Sequence, residues 1–482
     1  MRGRSLFLLI SGIIFSLFLS IEAETISVLH TFAPGVIQRL GLILTNSDGA
    51  NPAPGLAISG ATLYGAAKNG GETGSGTLFS VDTNGVNFKI VYTFSSNITG
   101  NSDGANPNGG LVLAGRALYG TTFGGGDGGS GVIFRLDTNN LAFSNIYSFS
   151  AADPNTGMNS DGANPSAGLV LSGATLFGTA NAGGQGVGTL FSLTTNGTNF
   201  RVLHRFSALD PISGTNTDGA NPSARLTLAG TTLFGTSSAG GADGNGTVFS
   251  IHTDGTGFTV LHSFDTNGAS PIAELVLSGS TLYGMANSIV FSLNTNGTGF
   301  VIAHQFPSRI DSSSTAVPGL TLAGSNLYGA AVGDGANGTG QIFSLDINNN
   351  GFADQYDFTK RSGSFPGTNS DGAFPNGGLV FLNGTLYGTA GEGGAGGSGV
   401  LFSLIPSAIT QVPQPVLSAQ ISGGDLLLSF PTAGGQNYFL EQNPDLGATH
   451  WNSYTNILGD GGLAQFTIPA SQPKQFFRVR LQ

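Results

Sequence analysis

No cysteine occurs in the 482 residues, which removes disulfides, thiolate metal sites and cysteine nucleophiles together. Charged residues make up only 9% of the chain, and their balance is -11. That balance excludes nucleic acid or an anionic membrane as partner, since both need basic patches. Methionine and tryptophan are nearly absent, at 3 and 1. No segment carries a sustained 3.6-residue apolar period, so helices are expected to be almost missing. Apart from the N-terminus, no apolar run approaches the roughly 20 residues that a bilayer helix needs.

Glycine and phenylalanine are abundant, at 79 and 34 residues, and 39% of the chain is hydrophobic. Without a G-X-Y period this glycine content is not collagen, and the regular short apolar runs oppose disorder. Many strands joined by tight turns remain. The decisive feature is a repeat. SDGANPNGGLVLAGRALYGTT, from Ser102 to Thr122, recurs down the chain. Its LYG or LFG aromatic falls at Tyr64, Tyr119, Phe177, Phe234, Tyr283, Tyr328 and Tyr387, so there are seven copies, 45 to 59 residues apart.

Each repeat predicts four strands, here A to D. In the second these are Gly110 to Gly115, Arg116 to Thr122, Gly131 to Asp137 and Ala142 to Phe149. Four antiparallel strands at this period suit a propeller blade. Strand C occurs seven times, marked by Phe79, Phe134, Phe191, Phe249, Phe291, Phe343 and Phe402, but the last copy has no D after it. Thr25 to Phe32, in turn, resembles a D with no A, B or C before it. The count balances if the N-terminal strand completes the seventh blade, which would also remove an open edge. The expected fold is all-β: a seven-bladed β-propeller over 24–405, closed by its N-terminal strand. The Asn-Gly and Asp-Gly pairs between C and D, such as Asn84-Gly85 and Asp254-Gly255, are expected to form primed turns.

Residues 1–23 read as a signal peptide, with Arg2 and Arg4 ahead of the apolar Leu6 to Leu19 and a small Ala23 before cleavage. The mature form is expected to be exported, monomeric and not inserted in a membrane. A proline-containing linker follows the repeats at 406–415, and 416–482 is expected to form a small β-sandwich. Blade 5 shortens its B-to-C loop to Ala286-Asn287-Ser288, with Asn267 at the leader aspartate position, and blade 6 lacks the full leader, reading Ser314 to Pro318.

The long connections, D-to-A and B-to-C, emerge on one face of such blades, and binding usually resides on long loops over a rigid scaffold. The leader aspartates Asp48, Asp103, Asp161, Asp218 and Asp371 precede strand A, which places them around the channel mouth. They are the candidate ligand-binding or cation-binding residues, with calcium the possible ion. The competing structural role is hydrogen bonding within their own loops, which repetition in every blade favours. One aspartate per loop falls short of a calcium-loop pattern. His30, His204, His262 and His304 share one strand D position with Tyr92, Tyr147 and Tyr356, an interchange that suits a structural aromatic rather than a metal ligand. No nucleophile elbow, zinc helix motif or phosphate loop is present, and no catalytic residue is assigned.

The motif SDGANPxxGLVLxGxxLYGTxxxGGxxGxGxxFxL followed by TNGxxF resembles the GloVer tandem repeat of exported bacterial proteins, a family named for Gloeobacter and Verrucomicrobia. The resemblance covers roughly 25–405. It implies a secreted or surface protein with no established activity, and it carries over no catalytic residue. The C-terminal segment is similar to the small β-rich domains that end verrucomicrobial exported proteins, through Leu426 to Pro431, Tyr438 to Glu441 and Gln475 to Arg478. A more distant analogy is with Kelch propellers. The expected function is non-enzymatic binding of an extracellular glycan, polysaccharide or protein. A propeller hydrolase or lyase acting on polysaccharide is the alternative, and a purely structural surface protein is the third reading. No cofactor is expected beyond the possible calcium.

Overall fold

The computed structural model describes residues 25–38, 43–96, 101–265, 270–306, 319–363, 367–407, 417–422, 425–432, 437–443, 452–458, 462–468 and 476–481. The signal segment, the leader positions 267 and 314–318, most of the linker, and Trp451 and Gln475 lie outside the described residues. Two compact units divide the chain, residues 1–407 and 408–482. Both are all-β and built from small antiparallel sheets, with no helix among the described residues.

Seven of these sheets follow the repeat. In the second, Val112–Ala114, Ala117–Gly124, Val132–Asp137 and Phe143–Ser148 lie side by side in chain order. The N-terminal strand, Thr25–Thr31, pairs antiparallel with Val400–Ile405 and is the fourth strand of the seventh sheet. Strand A is shorter than expected, three residues in six of the sheets and five only at Gly319–Ala323. At Leu111 the cause is visible: its N–H bonds the neighbouring sheet, at Gly55 O (3.0 Å), instead of its own strand B.

The core explains the most repetitive letters. The glycine of each LYG or LFG triplet lies opposite the strand C phenylalanine, Gly120 opposite Phe134 and Gly178 opposite Phe191. A Cβ on Gly178 would come within 2.6 Å of Phe191 Cζ, so the ring occupies the volume that a side chain would fill. The phenylalanine that ends each strand D then packs edge-on against the strand C ring of another sheet. The pairs are Phe32–Phe79 (5.4 Å), Phe94–Phe134 (5.6 Å), Phe149–Phe191 (5.3 Å), Phe206–Phe249 (5.5 Å), Phe264–Phe291 (5.2 Å), Phe306–Phe343 (5.2 Å) and Phe358–Phe402 (5.5 Å). Such pairs add ~0.5–1.5 kcal/mol each beyond area burial.

The leader loops contribute structure that the repeat pattern did not suggest. Ala50–Pro52, Ala105–Pro107 and Ala373–Pro375 form short strands beside strand B, and Val36–Gln38 pairs with Ile43–Thr45 as an extra hairpin. Asn51, Asn106, Asn164 and Asn221 adopt positive φ (54 to 58°), which asparagine tolerates better than most residues. Their amides reach back to the preceding sheet: Asn106 to Lys68 O (3.1 Å), Asn164 to Phe123 O (2.9 Å), Asn221 to Asn181 O (3.1 Å). Asn51 does the same with Gly391 O of the seventh sheet (2.9 Å). The C-to-D turns differ from expectation. In the Asn-Gly and Asp-Gly copies the glycine, Gly85, Gly197, Gly255 or Gly297, has positive φ but the residue before it does not, so each is a three-residue loop rather than a primed turn. In the second and sixth repeats Leu141 and Asn350 take the left-handed place of a four-residue loop.

The second unit contains two three-stranded sheets. One orders Ser418–Ser422, Asp425–Pro431 and Leu463–Ile468, and the other Asn452–Leu458, Asn437–Asn443 and Phe476–Leu481. Leu428 and Ile468 from the first share a buried core with Leu440 from the second. Arg478 Nε donates to Glu441 at 2.7 Å.

Candidate functional site

The leader aspartates are held inside their own loops. Asp161 accepts from Tyr147 Oη (2.8 Å), Ser150 N (2.9 Å) and Ser150 Oγ. Asp371 does the same with Tyr356 Oη (2.8 Å), Thr359 N (2.9 Å) and Thr359 Oγ1. Asp103 takes Tyr92 Oη (2.8 Å), Ser95 N (2.9 Å) and Ser95 Oγ (3.0 Å). In Asp48 and Asp218 the partner is histidine, His30 Nε2 and His204 Nε2, both at 2.9 Å; Ala33 N also donates to Asp48, and the Ser207 N–H and Oγ to Asp218. The carboxylate thus ties the end of strand D to the loop that leaves it. The five are spread over five loops, and no group of three or more metal-ligating side chains forms among the described residues.

These contacts also account for the histidines. Six of the seven His or Tyr residues lie flat on a phenylalanine that opens another strand D, as in His30–Phe88 (3.5 Å), Tyr92–Phe143 (3.9 Å), His204–Phe258 (3.7 Å) and His304–Phe352 (3.7 Å), while Tyr356 packs in a cluster with Ile26. A flat ring with a polar tip is what the position requires, and both residue types supply it. Burial, then the hydrogen bond and charge of the leader aspartate, push up the hydroxyl pKa of Tyr92, Tyr147 and Tyr356. Burial works to raise the Asp218 carboxyl, but the bonds from His204 and Ser207 outweigh it and leave it lowered. Burial lowers His262 and His304. The pattern missed the asparagine two residues before each aspartate. Asn159 Oδ1 accepts from Gly162 N and Gly184 N (both 2.9 Å), and Asn46, Asn101, Asn216 and Asn369 sit alike. Its recurrence at a fixed offset was the available signal.

A different place breaks the repetition. A cavity of about 220 Å³ is lined by the start of strand A from all seven repeats. The residue just before the strand A leucine is Gly55, Gly110, Gly168, Gly319 or Gly378 in five repeats, but Arg225 and Glu274 in the fourth and fifth. At the glycines the backbones crowd one another: a Cβ on Gly55 would fall 2.7 Å from Gly110 Cα, and one on Gly168 2.8 Å from Gly110 O. Arg225 and Glu274 instead project long charged side chains, which remain 36% and 34% exposed and therefore reachable. Arg225 Nε donates to Leu169 O (3.0 Å), and Nη1 stands 3.7 Å from Glu274 Oε1. Burial raises the Glu274 carboxyl pKa, and the Arg225 charge partly offsets this.

Other polar groups lie nearby. Ser166 lines the cavity, and its Oγ is buried without a hydrogen-bond partner. Lys68 lines a small adjoining hollow that shares Pro54 and Asn108 with the cavity. Burial lowers the Lys68 pKa, and no ion pair compensates its charge among the described residues. Arg225 and Glu274 were visible in the sequence only as departures at one aligned position, and a reading centred on what recurs passed over them.

The sequence model of the Gloeobacter/Verrucomicrobia repeat matches residues 10–214 and 159–289, together more than half of the 482 residues. The chain belongs to that family. No curated protein matches this repeat protein. Similar solved structures include the nidogen/laminin complex, at 16% identity and TM-score 0.36, covering 61% of this chain and 89% of that one. The extracellular domain of a one-component system from B. thetaiotaomicron aligns at 12% identity and TM-score 0.46, over 87% of the repeat protein but only 48% of its own length. An oligogalacturonate lyase in complex with manganese aligns at 11% identity and TM-score 0.41, covering 75% and 90%.

Proposed function

We propose that the chain is a secreted, non-enzymatic binding protein: a seven-bladed β-propeller over 24–405, closed by its N-terminal strand, with 416–482 as an accessory module. The seven Phe–Phe contacts support the ring, since they link each sheet to the next and Phe32 carries the seventh sheet back to the first. The Asn51 bond to Gly391 supports it again. Export rests on the charged and apolar pattern of residues 1–23. The ligand site in this reading is the cavity lined by all seven repeats, approached from the face of the leader loops.

The observation that carries the reading is the replacement of two glycines in an otherwise uniform wall by Arg225 and Glu274. A structural need recurs in every blade, whereas a site needs unlike groups converging. Binding is favoured over catalysis because the pair supplies one acid and one fixed cation, without a nucleophile set against a base. A thermal-shift screen of the exported protein against monosaccharides, sugar acids, amino acids and short peptides tests it. At least one class should raise the melting temperature of the wild type and not of the Arg225→Gly/Glu274→Gly double variant. Binding that survives in the double variant would move the site elsewhere, and turnover of any probe would sink the non-enzymatic reading.

A further inference from the structure

Resting on the reading that this cavity is the binding site, we infer that its occupant is a small organic acid carrying a hydroxyl or ammonium donor beside its carboxylate. Size comes first. About 220 Å³ lies below the roughly 300–1,000 Å³ of pockets that take drug-sized molecules, so a compact metabolite fits and a polymer does not. The wall is glycine, proline and aliphatic carbon with a few polar groups, and it includes no aromatic ring on which a sugar could stack.

Charge then selects the chemistry. Arg225 commits only Nε, to Leu169 O, and its two terminal amino groups make no hydrogen bond among the described residues. A guanidinium fork presents parallel donors matched to a carboxylate. Glu274 has no partner among the described residues except Arg225, and at 3.7 Å that contact exceeds the ~2.7–3.2 Å of a hydrogen bond. The two side chains therefore leave each other unsatisfied. The Arg225 cation at 3.7 Å favours the charged form of Glu274 against its burial, and in that form the carboxylate only accepts, so a ligand that meets it must donate. Because the two charges stand so close, the ligand's acid and donor must be neighbours, as in a 2-hydroxy or 2-amino acid. Lys68, in the adjoining hollow, gives a protein of net charge -11 a local attraction for anions.

The test is titration calorimetry and thermal shift on the whole exported chain with lactate, alanine, propionate, lactamide and glucose. Lactate, alanine or both should bind. Propionate, which lacks the donor, and lactamide, which lacks the charge, should be at least ~10-fold weaker, consistent with loss of a charge-assisted hydrogen bond. Arg225→Gly should abolish binding, and Arg225→Lys, which keeps the charge without the fork, should weaken it while leaving the fold intact. Glu274→Gln should cost alanine more than lactate if an ammonium is the donor. Propionate equal to lactate and alanine, or acids that bind Arg225→Gly as tightly as wild type, would overturn the inference. Arg225-dependent binding of glucose alone would sink the ligand class and leave the cavity site standing. If no probe binds and the Arg225→Gly/Glu274→Gly variant melts lower than wild type, the pair is a plug and both readings fail.

Discussion

At the scale of single residues, the leader aspartate illustrates how repetition and chemistry pull apart. Asp161 is buried and satisfied by Tyr147 and Ser150, so Asp161→Ala would strand those donors. We expect a loss of about 1–3 kcal/mol, read as a lower melting temperature. Millimolar calcium should leave melting unchanged in wild type; a rise that Asp161→Ala diminishes would give the aspartates back a cation role. Acid should weaken the protein in two ranges. His262 and His304 titrate below their unfolded value of 6.5, so the stability they contribute is present above that pH and declines as pH falls through their folded pKa values. Asp218 titrates below 3.8, so its share survives until the pH drops through that lowered value. Glu274, raised by burial, runs the other way and is relieved as it takes up a proton. Substituting His262→Tyr and His304→Tyr, the residue other repeats use, should flatten the upper decline in a pH series of melts.

At the scale of the element, the LYG triplet and the strand C phenylalanine are two halves of one contact. Sequence alone showed both recurring, but their facing register emerged only when strands B and C were paired. In Gly178→Ala the new methyl would meet Phe191 Cζ at 2.6 Å and Leu169 Cδ2 at 2.8 Å. Overpacking of this kind costs about 1–3 kcal/mol, and chemical denaturation should show the midpoint falling with little change in slope. Phe32 is fully buried against Phe79 although its strand lies far from the seventh sheet in sequence. Phe32→Ala should cost about 3–5 kcal/mol; an effect below 1 kcal/mol would mean that the N-terminal strand contributes little.

At the scale of the whole molecule, the repeats make a self-consistent series and the variations give it a site. Deleting Thr25 to Phe32 should expose the Val400–Ile405 edge and drive aggregation, measurable by light scattering of the purified protein. A soluble deletion with unchanged melting would contradict closure by that strand.

The sequence by itself determined the all-β class, the seven repeats, the strand order and the need for the N-terminal strand to supply a missing fourth strand. These follow from local signals, alternating apolar residues and turn glycines, which act over a few residues. Tertiary structure alone decided what the leader residues touch, why His and Tyr exchange over a stacked phenylalanine, and that Arg225 and Glu274 face each other. The last two lie 49 positions apart and in different repeats, so no local pattern links them. Only the packing of one sheet against the next brings their charges into a single cavity.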